Sequence, residues 1–194
     1  MDMVRRVQAI LLRPKDEWAK IKGETTSVAK LFTSYAMVLA AVPAAAKFVG
    51  RLLFRSEIPF KGVPAWSVGR SLSNAVLSYL FSLAIVYLAG LIIDALAPNF
   101  SSKRSLTNAM KLAVYSMTPF WAAGVLYIVP GLDVLVTLAG LYGLYLLYEG
   151  FHTPMMETPK DRTLGFVVVS VLAVAALFLV VSLIFILFSI WGVA

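Results

Sequence analysis

Twenty-eight consecutive residues, Leu164 to Trp191, carry no charged side chain. As an α-helix such a run rises about 42 Å, longer than the roughly 30 Å hydrocarbon layer of a bilayer. A soluble domain has no use for so long an apolar rod, and water does not tolerate one on a surface. The chain therefore belongs in a membrane. The rest of the sequence agrees, since 60% of its 194 residues are hydrophobic and only 14% are charged, well below the usual quarter.

Several chemistries are excluded at once. There is no cysteine, so disulfides, thiolate catalysis and cysteine-ligated metals are out. The net charge of +7 would suggest nucleic acid in a soluble protein, but in a membrane protein it reflects topology and anionic lipid. Nucleic-acid binding is not expected. Met1 to Lys30 lacks the continuous apolar core of a cleavable signal, and no such signal is expected.

Residues 1–26 read as a cytoplasmic amphipathic segment on the membrane surface. Val4, Val7, Ile10 and Leu11 recur at helical spacing, with Arg5 and Arg6 elsewhere on the wheel. Pro14 ends that helix or begins another, and Trp18 and Ile21 form a second apolar contact. Arg5, Arg6, Arg13, Lys15 and Lys20 are expected to meet lipid headgroups.

Residues 27–194 predict an all-α bundle of five transmembrane helices, at about 28–54, 71–97, 106–129, 132–150 and 163–191. In the first, Ala36, Ala40 and Ala44 share a face that admits a close neighbour, within the chain or in a homo-oligomer. Pro43 should kink this helix. Lys47, Arg51 and Arg55 form a cationic stripe, Lys47 snorkelling to the far headgroups. A loop with Pro59, Gly62 and Pro64 follows, then Trp66 at an interface. Pro98-Asn99 closes the second span, and Pro130-Gly131 joins the third and fourth as a hairpin. Five spans put the termini on opposite sides. The loops on the amino-terminal side hold twelve Lys plus Arg against five on the other, which predicts a cytoplasmic amino terminus.

The third and fourth spans carry a recognisable order of residues. Ala109-Met110-Lys111-Leu112-Ala113-Val114-Tyr115-Ser116-Met117-Thr118-Pro119 resembles the tyrosine-x-x-x-proline element of the Ypt/Rab-interacting protein (Yip) family. Ile128-Val129-Pro130-Gly131-Leu132 follows, as in bacterial members, and then Leu141-Tyr142-Gly143-Leu144-Tyr145 through Gly150. Leu12-Arg13-Pro14-Lys15-Asp16-Glu17-Trp18 and Ala95-Leu96-Ala97-Pro98-Asn99-Phe100 also look like bacterial relatives. The resemblance implies a small helical membrane protein with a cytoplasmic amino terminus. Eukaryotic relatives associate with prenylated GTPases. This chain lacks their long amino-terminal region and their Asp-Leu-Tyr-Gly-Pro element, and Val114 stands where they often have glycine, so GTPase binding is not carried over.

Few residues carry chemistry. Asp94 near the end of the second span is costly in lipid and needs a partner, Lys103, Arg104 or Lys111, unless it serves a ligand or a proton. Asp133 has a matching option in Lys47. Tyr142, Tyr145 and Tyr148 step by three along the fourth helix and, with Tyr115, Thr118 and the carbonyl freed by Pro119, suggest either inter-helix hydrogen bonds or a polar cleft. Glu149-x-x-His152 has a metal-ligand spacing, but it occurs once, contains Gly150 and holds the only histidine, so neither metal nor cofactor is expected. No serine pairs with His152 at a readable spacing, and there is no phosphate-binding glycine loop.

The sequence thus predicts a non-enzymatic scaffold or partner-binding protein of the cytoplasmic membrane, in contact with lipid and a protein partner or a second copy. A small transporter or channel is the first alternative, with a path between the second, third and fourth helices and Asp94, Tyr115, Pro119, Tyr142 and Tyr145 as candidate lining. An accessory subunit of a lipid or envelope enzyme is the second.

Overall fold

The structure, a computed structural model, describes residues 2–54, 68–153 and 155–191, with side chains as far as Val180 and that of Leu183. The expected loop with Pro59, Gly62, Pro64 and Trp66, and Arg55 of the cationic stripe, lie outside the described residues. Among the described residues every regular element is helical.

Two short helices open the chain. α1 spans Met3–Leu12, and the Asp2 carboxylate accepts from the Val4 amide at its start, 3.3 Å away. α2 spans Pro14–Gly23, with Pro14 in its first turn, where a missing N–H costs nothing. Asp16 and Glu17 in its first turn and Lys20 and Lys22 in its last complement the helix dipole. Ser27 then caps the first long helix through the Lys30 amide.

Among the described residues, four helices are long and apolar enough to cross a bilayer by length and composition. They are α3 (Val28–Leu53, with a wider π turn over Phe32–Ala36), α4 (Val68–Leu96), α7 (Asp133–His152) and α8 (Lys160–Trp191). The expected third span is not one continuous helix. Its residues form α5 (Leu106–Ser116), α6 (Thr118–Ala123) and a 3-10 stretch over Gly124–Ile128. The break falls at Met117, whose amide turns back to the Val114 carbonyl at 3.2 Å. Pro119, two residues on, has no N–H to continue the α ladder and sits instead at the start of α6. An unbroken third span is therefore a correction to the sequence reading.

The broken segment is the axis of the bundle. In α5 every residue from Ala109 to Ser116 is buried, because helices pack around it on all sides. It runs parallel to α3: Lys111 reaches the Glu24 carbonyl, Thr118 meets Tyr35, Gly124 lies on Pro43, and Gly50 lies on the Tyr127 and Ile128 carbonyls. It runs antiparallel to α4, with Met110 on Gly90 and Trp121 bonded to Ser82. A tight turn returns it into α7. There the Leu132 amide meets the Val129 carbonyl at 3.3 Å, and Gly131 takes a φ of 89° that a side chain would strain. Gly140, Gly143 and Gly150 then lie on Phe120, Ser116 and Leu112 in antiparallel order.

Ala36, Ala40 and Ala44 are buried within this single chain, so the close neighbours this face admits include helices of the same chain. Outward, Leu72, Leu77, Leu80, Leu138, Leu141, Leu172 and Leu179 are exposed, as expected where the neighbouring medium is hydrocarbon.

Candidate functional site

The amino-terminal arm, α1 and α2, does not simply lie on a membrane surface. Ile10, Trp18 and Ile21 are wholly buried against the bundle. Trp18 fills the notch left by Gly150, where an added methyl would stand 2.8 Å from the indole. Its ring meets Tyr115 edge-on at 6.1 Å, and Tyr115 in turn meets Tyr35 at 4.9 Å.

A charged network sits in this joint. The Arg6 guanidinium donates to Glu17 at 2.6 Å and also to Glu24, and lies 5.7 Å from the Tyr115 ring centre. Burial opposes its charge, but the hydrogen bond to Glu24, the nearby Tyr115 and the two carboxylates outweigh that and hold its pKa above the ordinary arginine value. Arg6 is only 5% exposed and Glu17 1%. This corrects the expectation that Arg6 meets lipid headgroups: its charge is spent inside the protein. Lys20 also reaches Glu17, at 3.2 Å, but remains 63% exposed. Arg5, Arg13 and Lys15 are exposed.

Lys111 completes the joint. Its ammonium donates to the carbonyls of Ile21 at 2.9 Å and Glu24 at 2.6 Å, where α2 ends. The Ile21 carbonyl also accepts from the Glu24 amide at 3.3 Å, and a cation there adds to that cap and favours the negative end of the dipole. Beneath it, the Tyr35 hydroxyl bonds to the Thr118 hydroxyl at 2.9 Å. Tyr142 donates to the Leu11 carbonyl at 2.9 Å and so ties α7 to the end of α1.

The other residues singled out by sequence are placed as follows. Asp94 is paired with Arg104, which reaches one carboxylate oxygen at 2.8 and 3.2 Å, while the second oxygen is buried without a partner. Lys103 goes instead to Glu157 at 3.5 Å. Pro119 is buried beside Thr118. Tyr145 is partly exposed, its ring 5.5 Å from that of Tyr142. Lys47 makes no ion pair with Asp133; its ammonium lies over the Tyr127 ring, 4.2 Å from the centre. A cavity of about 390 Å³ lies elsewhere, between α3, α4, the break and α8, and none of Asp94, Tyr115, Pro119, Tyr142 or Tyr145 lines it. Among the described residues no three His, Cys, Asp or Glu side chains are grouped to hold a metal.

Sequence reasoning missed Glu17, Glu24, Lys111 and Tyr35 as members of one cluster. With Arg6 they are brought together from positions as far apart as Arg6 and Lys111. The chemistry assembled is that of docking: paired charges, capped carbonyls and ring contacts.

Comparison with known proteins gives one family. Residues 9–183 match the Yip1 domain. The chain is 30% identical over 163 residues to the inner membrane protein YohC of Escherichia coli strain K12, covering 82% of this chain and 83% of that protein. The protein of the same name from Escherichia coli O6:H1 strain CFT073 is equally similar. No solved structure matches the chain.

Proposed function

The chain belongs to the Yip1 family, and on that premise we propose that it is a non-enzymatic scaffold of the cytoplasmic membrane that presents its docked arm to a protein partner. The observation that carries this reading is the joint around Arg6 and Lys111. It fixes two helices as a rigid ledge on one end of the bundle, a use of buried charge that suits presentation better than conduction. Arg5, Arg13 and Lys15 remain exposed on that ledge, and each adds about 1 kcal/mol of attraction to an anionic leaflet. In this reading the broken segment completes a fifth crossing beside α3, the amino terminus is cytoplasmic and the carboxyl terminus is outside, as the loop charges suggest. The relatives of the same name are inner membrane proteins, which supports the compartment.

Photo-crosslinkers at Arg5 and Lys15 in native membranes, followed by mass spectrometry, test the proposal. A reproducible protein partner is expected. Capture of bulk lipid alone from both positions would overturn it. A second reading, a small transporter, is favoured by one detail, the buried and unpartnered oxygen of Asp94. It predicts solute flux in liposomes that Asp94→Asn alters, whereas a scaffold gives no flux in either protein.

A further inference from the structure

At the end of α3 remote from the arm, the cavity between the helices has a composition that selects its occupant. Its walls are Ala40, Pro43 and Ala44 of α3, Phe81 and Ile85 of α4, Met117 and Phe120 at the break, and Phe178 of α8. Two serines also face it, and each already makes one hydrogen bond within the protein. The Ser78 hydroxyl donates to the Ala75 carbonyl at 2.9 Å, and Ser82 accepts from the Trp121 indole at 3.0 Å. Apart from these two hydroxyls and Lys47, every lining side chain is apolar, so a hydrocarbon chain suits the walls better than a polar ligand and displaces neither serine bond. The volume, about 390 Å³, lies within the range of small-ligand sites.

The charge sits at one end only. Lys47 lines the cavity and has no ion pair among the described residues, its ammonium resting on the Tyr127 ring. Arg51 follows one turn further out on the same face and is exposed. Two cations one turn apart repel, and an anion between them relieves that repulsion. From Ala40 to Lys47 the helix rises about 10 Å, so the apolar walls and the cations are stacked in depth as the parts of a lipid are.

We propose that this cavity is a site for one anionic phospholipid, with an acyl chain between α3, α4, α8 and the break, and its phosphate at Lys47 and Arg51. The site is separate from the arm and goes beyond the scaffold reading. Native mass spectrometry of the delipidated protein with added phosphatidylglycerol, phosphatidylethanolamine or oleate tests it. One phosphatidylglycerol is expected to be retained at least tenfold more strongly than phosphatidylethanolamine. The double substitution Lys47→Gln/Arg51→Gln, on the outer turn, should erase that headgroup preference while leaving chain binding. Ala44→Phe should fill the cavity and abolish retention of every lipid, with a melting temperature near wild type confirming the fold. Equal retention of the two phospholipids by wild type, tighter binding of oleate than of phosphatidylglycerol, or a preference unchanged in Lys47→Gln/Arg51→Gln would each overturn the proposal.

Discussion

Replacing Arg6 with alanine tests whether paired charge holds the arm. In the folded protein Glu17 is almost completely buried; one oxygen receives Arg6 at 2.6 Å and the other Lys20 at 3.2 Å. Removing the guanidinium leaves a buried carboxylate with a single partner that is itself mostly solvated. Breaking a buried pair from one side costs about 3–5 kcal/mol. Lys20 remains, and Glu24, whose side chain is 40% exposed, can turn to water, so the lower end applies. At about 1.4 kcal/mol per tenfold, a loss of about 3 kcal/mol shifts the docking equilibrium of α1 and α2 by more than about a hundredfold. Hydrogen exchange in lipid nanodiscs reads this directly, with the arm amides compared against those of Ala109 to Ser116 at the centre of the bundle. Arm exchange should accelerate while the central amides hold. The double change Arg6→Met/Glu17→Gln, which removes the stranded charge, should recover most of the protection. Wild-type exchange rates in the arm of Arg6→Ala would refute the reasoning.

Two further substitutions probe the packing. Gly50→Ala places a methyl 2.7 Å from the backbone carbonyl oxygens of both Tyr127 and Ile128, which no side-chain movement relieves. It should lose about 1–3 kcal/mol, whereas Gly69→Ala in α4, where the added methyl has no atom of the described residues within 4 Å, should gain up to about 1 kcal/mol; thermal unfolding of the two in one detergent separates them. Tyr35→Phe strands the fully buried Thr118 hydroxyl and should cost about 1–3 kcal/mol, and the same change in a Thr118→Val background should cost clearly less in a double-mutant cycle.

Much of the membrane architecture is legible in the sequence because length and apolarity decide it. The spans expected at 28–54, 71–97, 132–150 and 163–191 coincide with the helices Val28–Leu53, Val68–Leu96, Asp133–His152 and Lys160–Trp191. The broken segment escapes this logic. Hydropathy summed over 106–129 measures what the side chains prefer, not whether each backbone amide finds a carbonyl four residues back. Pro119 carries the missing information, since it has no amide to give. Burial of α5 among four helices then allows a break there, because the freed backbone groups face protein and not lipid.

The arm fails for a different reason, and Glu17 shows which signal was there to be used. A helical wheel of α1 sorts residues into an apolar face and the rest, and Arg6 falls among the rest. Its real surroundings come from α2, where Glu17 and Ile21 are four residues apart and therefore share one face. A carboxylate on the same face as a residue destined for complete burial is costly unless a cation is brought to it. With seven basic residues and four acids in the first thirty, the cations are too plentiful to say which one that is. The acids are scarcer, and their positions are more informative. Glu17 on the apolar face of α2 requires an internal partner, and Arg6 across the Pro14 turn supplies it. In an otherwise basic surface segment of a membrane protein, the acid on the apolar face marks where the segment docks, while the unmatched cations stay exposed.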